Sequence, residues 1–136
     1  MNKNKKRWVF SPEKRPNAKP SESEKESIQE YFQPLVQAFK KKCVKKNPDK
    51  ECNYVIDVYS KWNQNNFYLC EKYKSEHVNR IADEFEAKVV RLKYVGKDCF
   101  DFSYFRHTGQ WHLVAEGISL KECQEMILSN PNFQPL

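Results

Sequence analysis

The sequence predicts an α+β domain: a five-stranded antiparallel sheet, made of a hairpin and a three-stranded meander, with an N-terminal and a C-terminal helix packed on one face. Three observations predict it. The 136-residue chain has three glycines, Gly96, Gly109 and Gly117, each falling where an extended or alternating segment has to turn, as suits the residue that takes positive φ without steric cost. Two Ser-x-x-Glu capping boxes, at Ser21 with Glu24 and Ser119 with Glu122, open stretches whose apolar residues recur at helical spacing. Between these stretches apolar and polar residues alternate with period two, the pattern of half-buried strands. At this length one domain is expected, and an aromatic content of 14% supplies its core.

Residues 1–20 read as a basic extended arm and residues 21–136 as the single α+β domain. Of the chain's 24 basic and 18 acidic side chains, residues 1–19 hold seven (Lys3, Lys5, Lys6, Arg7, Lys14, Arg15, Lys19) and one (Glu13), which leaves 17 of each in the remainder. The net charge of +6 therefore resides in the arm. Pro12, Pro16 and Pro20 predict extended chain there, and Trp8-Val9-Phe10 is its one hydrophobic group. Two readings of the arm stand: a solubilising tail whose Trp-Val-Phe packs on the domain, or an electrostatic arm for a polyanion.

The first helix starts at the Ser21 capping box and presents Ile28, Phe32, Leu35, Val36, Phe39 and Cys43 on one face. Pro34 predicts a kink or break within it, because proline removes a hydrogen bond and clashes with the preceding turn. Lys40, Lys41, Lys42, Lys45 and Lys46 cluster near its C-terminus, where the macrodipole favours cations. Asn47-Pro48-Asp49 is turn material.

Tyr54–Lys61 and Phe67–Tyr73 alternate on either side of the turn Asn63-Gln64-Asn65-Asn66. Pairing them across it sets Trp62 opposite Phe67, Tyr59 opposite Cys70 and Asp57 opposite Lys72. Glu71 then shares a face with Trp62, Phe67 and Leu69, and since a carboxylate facing a core is costly unless paired, it is expected at the rim. Ser75–Phe85 fits either a short helix or a loop. The third strand runs from about Glu86 to Val95, and a three-residue loop at Gly96-Lys97-Asp98 places Tyr94 opposite Phe100, Leu92 opposite Phe102, Val90 opposite Tyr104 and Lys93 opposite Asp101.

Gly109-Gln110 reads as a type II′ turn that sets Thr108 against Trp111, His107 against His112 and Arg106 against Leu113. That register puts Trp111 and Leu113 on the buried face and the two histidines together on the other. The last helix begins at the Ser119 capping box, turns Leu120, Cys123 and Ile127 inward, and ends before Pro131.

These stretches resemble a family of small bacterial proteins of unknown function. The matching segments are Arg7-Trp-Val-Phe-Ser-Pro12, Phe85-Glu-Ala-Lys88 continuing through Arg91-Leu-Lys-Tyr-Val-Gly96, Arg106-His-Thr-Gly-Gln-Trp111, and Gly117-Ile-Ser-Leu-Lys-Glu-Cys123. The Arg-His-Thr-Gly-Gln-Trp tip is the most specific. The resemblance brings no catalytic residues to carry over. It does imply that the N-terminal Trp-Val-Phe belongs with the domain.

The composition and motifs narrow the function classes. No stretch approaches the ~18 apolar residues of a transmembrane helix and no apolar signal core opens the chain, so a cytoplasmic protein without membrane contact is expected. Five scattered cysteines, Cys43, Cys52, Cys70, Cys99 and Cys123, form no Cys-x-x-Cys pair, so neither a disulfide framework nor a metal site is expected. His107 and His112 could bind a metal as cross-strand neighbours, but Asp101 would lie roughly 20 Å away along the strand. No nucleophile elbow, His-Glu-x-x-His helix or phosphate loop occurs, so no catalytic residues and no cofactor are assigned. The leading expectation is an interaction module binding an unidentified protein, or a second copy of itself, through the open sheet face, with Tyr59, Tyr68, Phe105, His107 and His112 as its surface. The alternative is sequence-tolerant nucleic-acid binding through Lys3, Lys5, Lys6, Arg7, Lys14, Arg15, Lys41, Lys42, Lys45 and Arg91, helped by the sheet aromatics.

Overall fold

The computed structural model describes residues 18–135. Helix α1 (Glu22–Cys43) leads, followed by five strands, β1 (Tyr54–Asn63), β2 (Asn66–Lys74), β3 (Glu84–Gly96), β4 (Cys99–Phe105) and β5 (Trp111–Ile118). Helix α2 (Leu120–Ser129) and a single 3-10 turn (Pro131–Phe133) end the domain. The strands lie in the sheet in chain order, each antiparallel to the next. Both capping boxes form: Ser21 Oγ accepts from the Glu24 N–H at 3.1 Å and Ser119 Oγ from the Glu122 N–H at 3.1 Å, while each glutamate accepts from its cap residue's own N–H. Two of the otherwise unpaired donors at each helix start are thereby satisfied.

Helix α1 continues through Pro34, so the expected break does not occur. Pro34 lies on the exposed side while Ile28, Phe32, Leu35, Val36, Phe39 and Cys43 are all buried. Burying each such side chain stabilises by about 1.5–3 kcal/mol, which together outweighs the ~3 kcal/mol that an interior proline costs. On the exposed side water can also meet the carbonyl that the proline leaves unpaired.

The core lies between the helices and one sheet face, where Val58, Phe67, Leu69, Val90, Leu92, Tyr94, Phe100 and Phe102 pack with Cys123, Ile127 and Phe133. Phe32 of α1 stacks on Phe67 with ring centroids 5.4 Å apart, and Phe133 meets Phe102 edge-on at 5.1 Å. The β1–β2 and β3–β4 registers are those read from the sequence: Trp62 faces Phe67, Asp57 faces Lys72, Tyr94 faces Phe100 and Val90 faces Tyr104. The β3–β4 turn tightens to Lys97-Asp98, Asp98 taking the positive φ of 48°, and an extra residue at Val95 preserves the expected faces. Ser75–Phe85 resolves into a loop up to Asp83, with β3 beginning at Glu84.

The β4–β5 register differs from the expectation. Phe105 pairs with Trp111, Tyr104 with His112 and Ser103 with Leu113. The Arg106 N–H donates to the Gln110 carbonyl and the Gly109 N–H to the Arg106 carbonyl, both at 2.9 Å, with Gly109 at φ 84°. Glycine therefore sits third in a three-residue loop, where a positive φ follows a tight turn, and not first in a two-residue one. An offset of three residues is odd, so Trp111, His112 and Leu113 change face, whereas Ala115, beyond the extra residue Val114, packs against the core. Trp111 and Leu113 go to the open side, and Leu113 is 50% exposed.

Glu71 corrects a second expectation. It is buried, not at the rim, opposite Val58 and Ala87. The Tyr73 hydroxyl reaches both carboxylate oxygens, at 3.2 and 3.1 Å. Burial pushes the Tyr73 phenol up, helped by the charge of Glu71 and by the hydrogen bond between them, and burial also raises the Cys43 thiol with Glu71 as the next cause. A donor two residues along the same strand makes the interior position tolerable.

Phe102→Ala is expected to lower the unfolding free energy by about 3–5 kcal/mol in a urea titration, as buried aromatic deletions do. Under the same conditions Tyr73→Phe is expected to cost about 1–3 kcal/mol by removing a donor from buried Glu71.

Candidate interaction surface on the open sheet face

Because strand side chains alternate, fixing the core residues fixes what faces away from the helices. One transverse row is set by pairing: Tyr68 of β2 beside Arg91 of β3, Arg91 beside Ser103 of β4, and Ser103 beside Leu113 of β5. The Tyr68 and Trp111 ring centroids lie 5.9 Å apart. Their strands are three inter-strand spacings apart, or about 14 Å, so the two side chains lean toward each other across β3 and β4. The small Ser103 underneath is 3% exposed.

Cations complete the cluster. The Arg91 guanidinium carbon lies 4.6 Å from the Trp111 ring centroid and Lys88 Nζ lies 5.0 Å from that of Tyr68. Such contacts are worth about 0.5–2 kcal/mol, more where water is excluded. Phe105 meets Trp111 edge-on at 5.2 Å. Toward β1, Glu86 accepts hydrogen bonds from the Tyr59 hydroxyl and from Lys61 Nζ, the latter at 2.8 Å. Burial alone would raise the Glu86 carboxyl, but the bonds from Lys61 and Tyr59 and the charges of Lys61 and Lys88 hold it below its ordinary value. The Cys70 thiol is fully buried and is pushed up to about 12, chiefly by burial.

Apolar surface gathers at the β4–β5 corner. Phe105 is 40% exposed, Leu113 50% and Val114 37%. Val114 is an extra residue on β5, since consecutive residues of β4, Phe102 and Ser103, face Ala115 and Leu113. A second irregularity follows at Gly117, whose N–H donates to Asp101 Oδ1 at 2.9 Å. Bulges at an edge strand kink it and disfavour edge-to-edge pairing, so the face of this corner is better presented than its edge.

The structure brings Tyr59, Tyr68, Phe105 and Arg91 onto one face. It separates the histidines: His107 lies in the β4–β5 loop, whereas His112 packs against Tyr104 on the helix side, ring centroids 5.7 Å apart. Lys41, Lys42 and Lys45 are exposed at the far end of α1, and Lys42 and Lys45 line a hollow of about 420 Å³ there. Lys3, Lys5, Lys6, Arg7, Lys14 and Arg15 lie outside the described residues. Lys88, Trp111, Leu113 and Val114 were missed by the sequence reading. The signal for Trp111 and Leu113 was the loop position of Gly109. Among the described residues no group of three or more His, Cys, Asp or Glu side chains is placed to hold a metal, and no helix is long and apolar enough to cross a membrane.

The model of a domain of unknown function, DUF3024, matches residues 27–135. The chain belongs to that family. The DUF3024 match begins within α1 and runs through the sheet, α2 and the 3-10 turn, and the arm motif Arg7–Pro12 precedes it. No curated protein and no solved structure matches the chain.

Glu24 offers a pH test together with Glu86. It accepts the Ser21 N–H at 3.0 Å and the Tyr94 hydroxyl at 2.7 Å, and these bonds hold its carboxyl below the ordinary value. Carboxylates depressed in the fold contribute stability above their unfolded pKa, near 4.3, that is lost as pH falls through the lower folded value. The urea midpoint is therefore expected to fall between pH 5 and pH 3, and Glu86→Gln is expected to make that decline shallower.

Proposed function

We propose that the chain is a protein-binding module whose partner packs on the open sheet face at the β4–β5 corner. The observation that carries this reading is the exposure of Phe105, Leu113 and Val114 around a braced Trp111. Aromatic and aliphatic side chains on a rigid strand pair suit the centre of a protein interface, with Arg91, Lys93 and Asp101 as its polar surround. The flat aromatic surface that a stacking base would need is already occupied, since Tyr68 is 8% exposed with Lys88 above it and Trp111 carries Arg91. The domain beyond residue 19 also has balanced charge, which removes long-range attraction for a polyanion. A reducing cytoplasm fits cysteines such as Cys70 and Cys123, which are fully buried as small core residues.

The test is a Phe105→Glu/Leu113→Glu double variant, with circular dichroism to confirm the fold. Sedimentation of the purified protein reads self-association, and native purification with mass spectrometry identifies a stoichiometric protein. The expected result is an association present in the parent and reduced at least tenfold in the variant. An association equal in both, or none in the parent, overturns the reading.

A second reading rests on Lys88 and Arg91 beside the sheet aromatics together with the seven basic residues of the arm: sequence-tolerant nucleic-acid binding. If the arm binds duplex DNA, its basic groups release counterions and the log–log salt slope should be no steeper than about −6. Deleting residues 1–19 should then abolish most of the binding, and undetectable affinity at low salt in the full chain would exclude it.

A further inference from the structure

The α1–β1 connection holds two cysteines that the open-face reading does not use. Cys43 ends α1 with 8% of its surface exposed, and Cys52 is exposed on the loop nine residues later. Both line the hollow of about 420 Å³ at that end of the domain, together with Lys42 and Lys45. Cys70 and Cys123, by contrast, are fully buried, and Cys99 opens β4 beside Gly96, in the β3–β4 hairpin. Asn47 and Pro48 interrupt the connection, and its turn is held by the Cys52 N–H on the Asp49 carbonyl at 3.2 Å and the Glu51 N–H on Asp49 Oδ1 at 3.0 Å. Cys52 lies on this irregular loop and outside the strands, so no sheet ladder fixes its backbone.

We propose that Cys43 and Cys52 form a thiol–disulfide pair that is oxidised by an anionic low-molecular-weight disulfide of the glutathione class. The exposed Cys52 attacks first. Its thiol, which donates to Asp49 Oδ2 at 3.7 Å, first gives its proton to solvent. The thiolate forms a bond to one sulfur of glutathione disulfide, the sulfur–sulfur bond of the oxidant breaks, and one glutathione leaves as thiolate and takes up a proton. Lys42 and Lys45 at the same hollow favour the approach of the oxidant's carboxylates. Cys43 is the resolving thiol: deprotonated, it attacks the Cys52 sulfur and displaces the second glutathione. The pair has then lost two electrons and two protons, and one glutathione disulfide has become two glutathiones. Burial and the nearby charge of Glu71 raise the Cys43 thiol, opposed by Lys42 and Lys45, which suits the slower, intramolecular step.

The experiment incubates the full chain with glutathione disulfide, blocks remaining thiols by alkylation, and reads intact mass and peptide maps. The expected product is lighter than the reduced chain by two hydrogens, carries one peptide linking Cys43 to Cys52, and retains three alkylatable thiols of the original five. In Cys43→Ser the reaction should stop at a glutathione adduct on Cys52, and in Cys52→Ser Cys43 should remain a free thiol over the same interval. A stable adduct on Cys52 in the parent with Cys43 still alkylated, a link to any other cysteine, or a link between two chains overturns the proposal. Cys52→Ser changes an exposed side chain and Cys43→Ser one core thiol of 8% exposure, and a thermal melt checks that each variant is folded.

Discussion

The contact that the rest of the structure depends on is the seating of α1 on the sheet through Phe32 and Phe67. That stacked pair decides which of the two sheet faces is covered, and hence which residues of each strand are spent on the core. Leu69, Leu92 and Phe102 follow from it by pairing, strand by strand. The capping boxes and the passage of α1 through Pro34 are subordinate to the same contact. Helix propensity would have stopped the helix, and the apolar stripe beneath it carried it on.

How much of this was legible in the sequence differs from one strand pair to the next, and the differences have physical causes. The β1–β2 and β3–β4 pairings could be read because apolar residues on both strands agree on one register, so a slip would expose aromatics and bury charges. At β4–β5 no such vote exists. Trp111 and Leu113 are apolar, and so the sequence favoured turning them inward, while the backbone needed Gly109 third in its loop and turned them out. Glu71 misled for a related reason: its cost was judged from its apolar neighbours on the strand, whereas the hydroxyl that makes it tolerable belongs to Tyr73, two residues on at the end of the same alternating stretch.

The candidate surface was legible in part. Tyr59, Tyr68, Phe105 and Arg91 were placed on the open face by alternation alone. What alternation cannot convey is that Tyr68 is nearly covered, that Arg91 is held on an indole, and that the exposed apolar surface lies one strand farther out. Those facts depend on side chains reaching across strands, which period-two patterns do not encode. The pairing of the two histidines failed with the register that produced it.

The reach of Trp111 from the last strand to the second has a mechanical meaning. Among the described residues, strand pairing ties β5 only to β4, so an ordinary edge strand could fray by breaking that one ladder. Here fraying would also lift an aromatic brace off Tyr68, strip Arg91 of its ring and open Ser103 to water. The edge and the middle of the sheet are therefore coupled in their opening, and the outer hairpin is expected to exchange its amide protons as one cooperative unit with the open face rather than strand by strand.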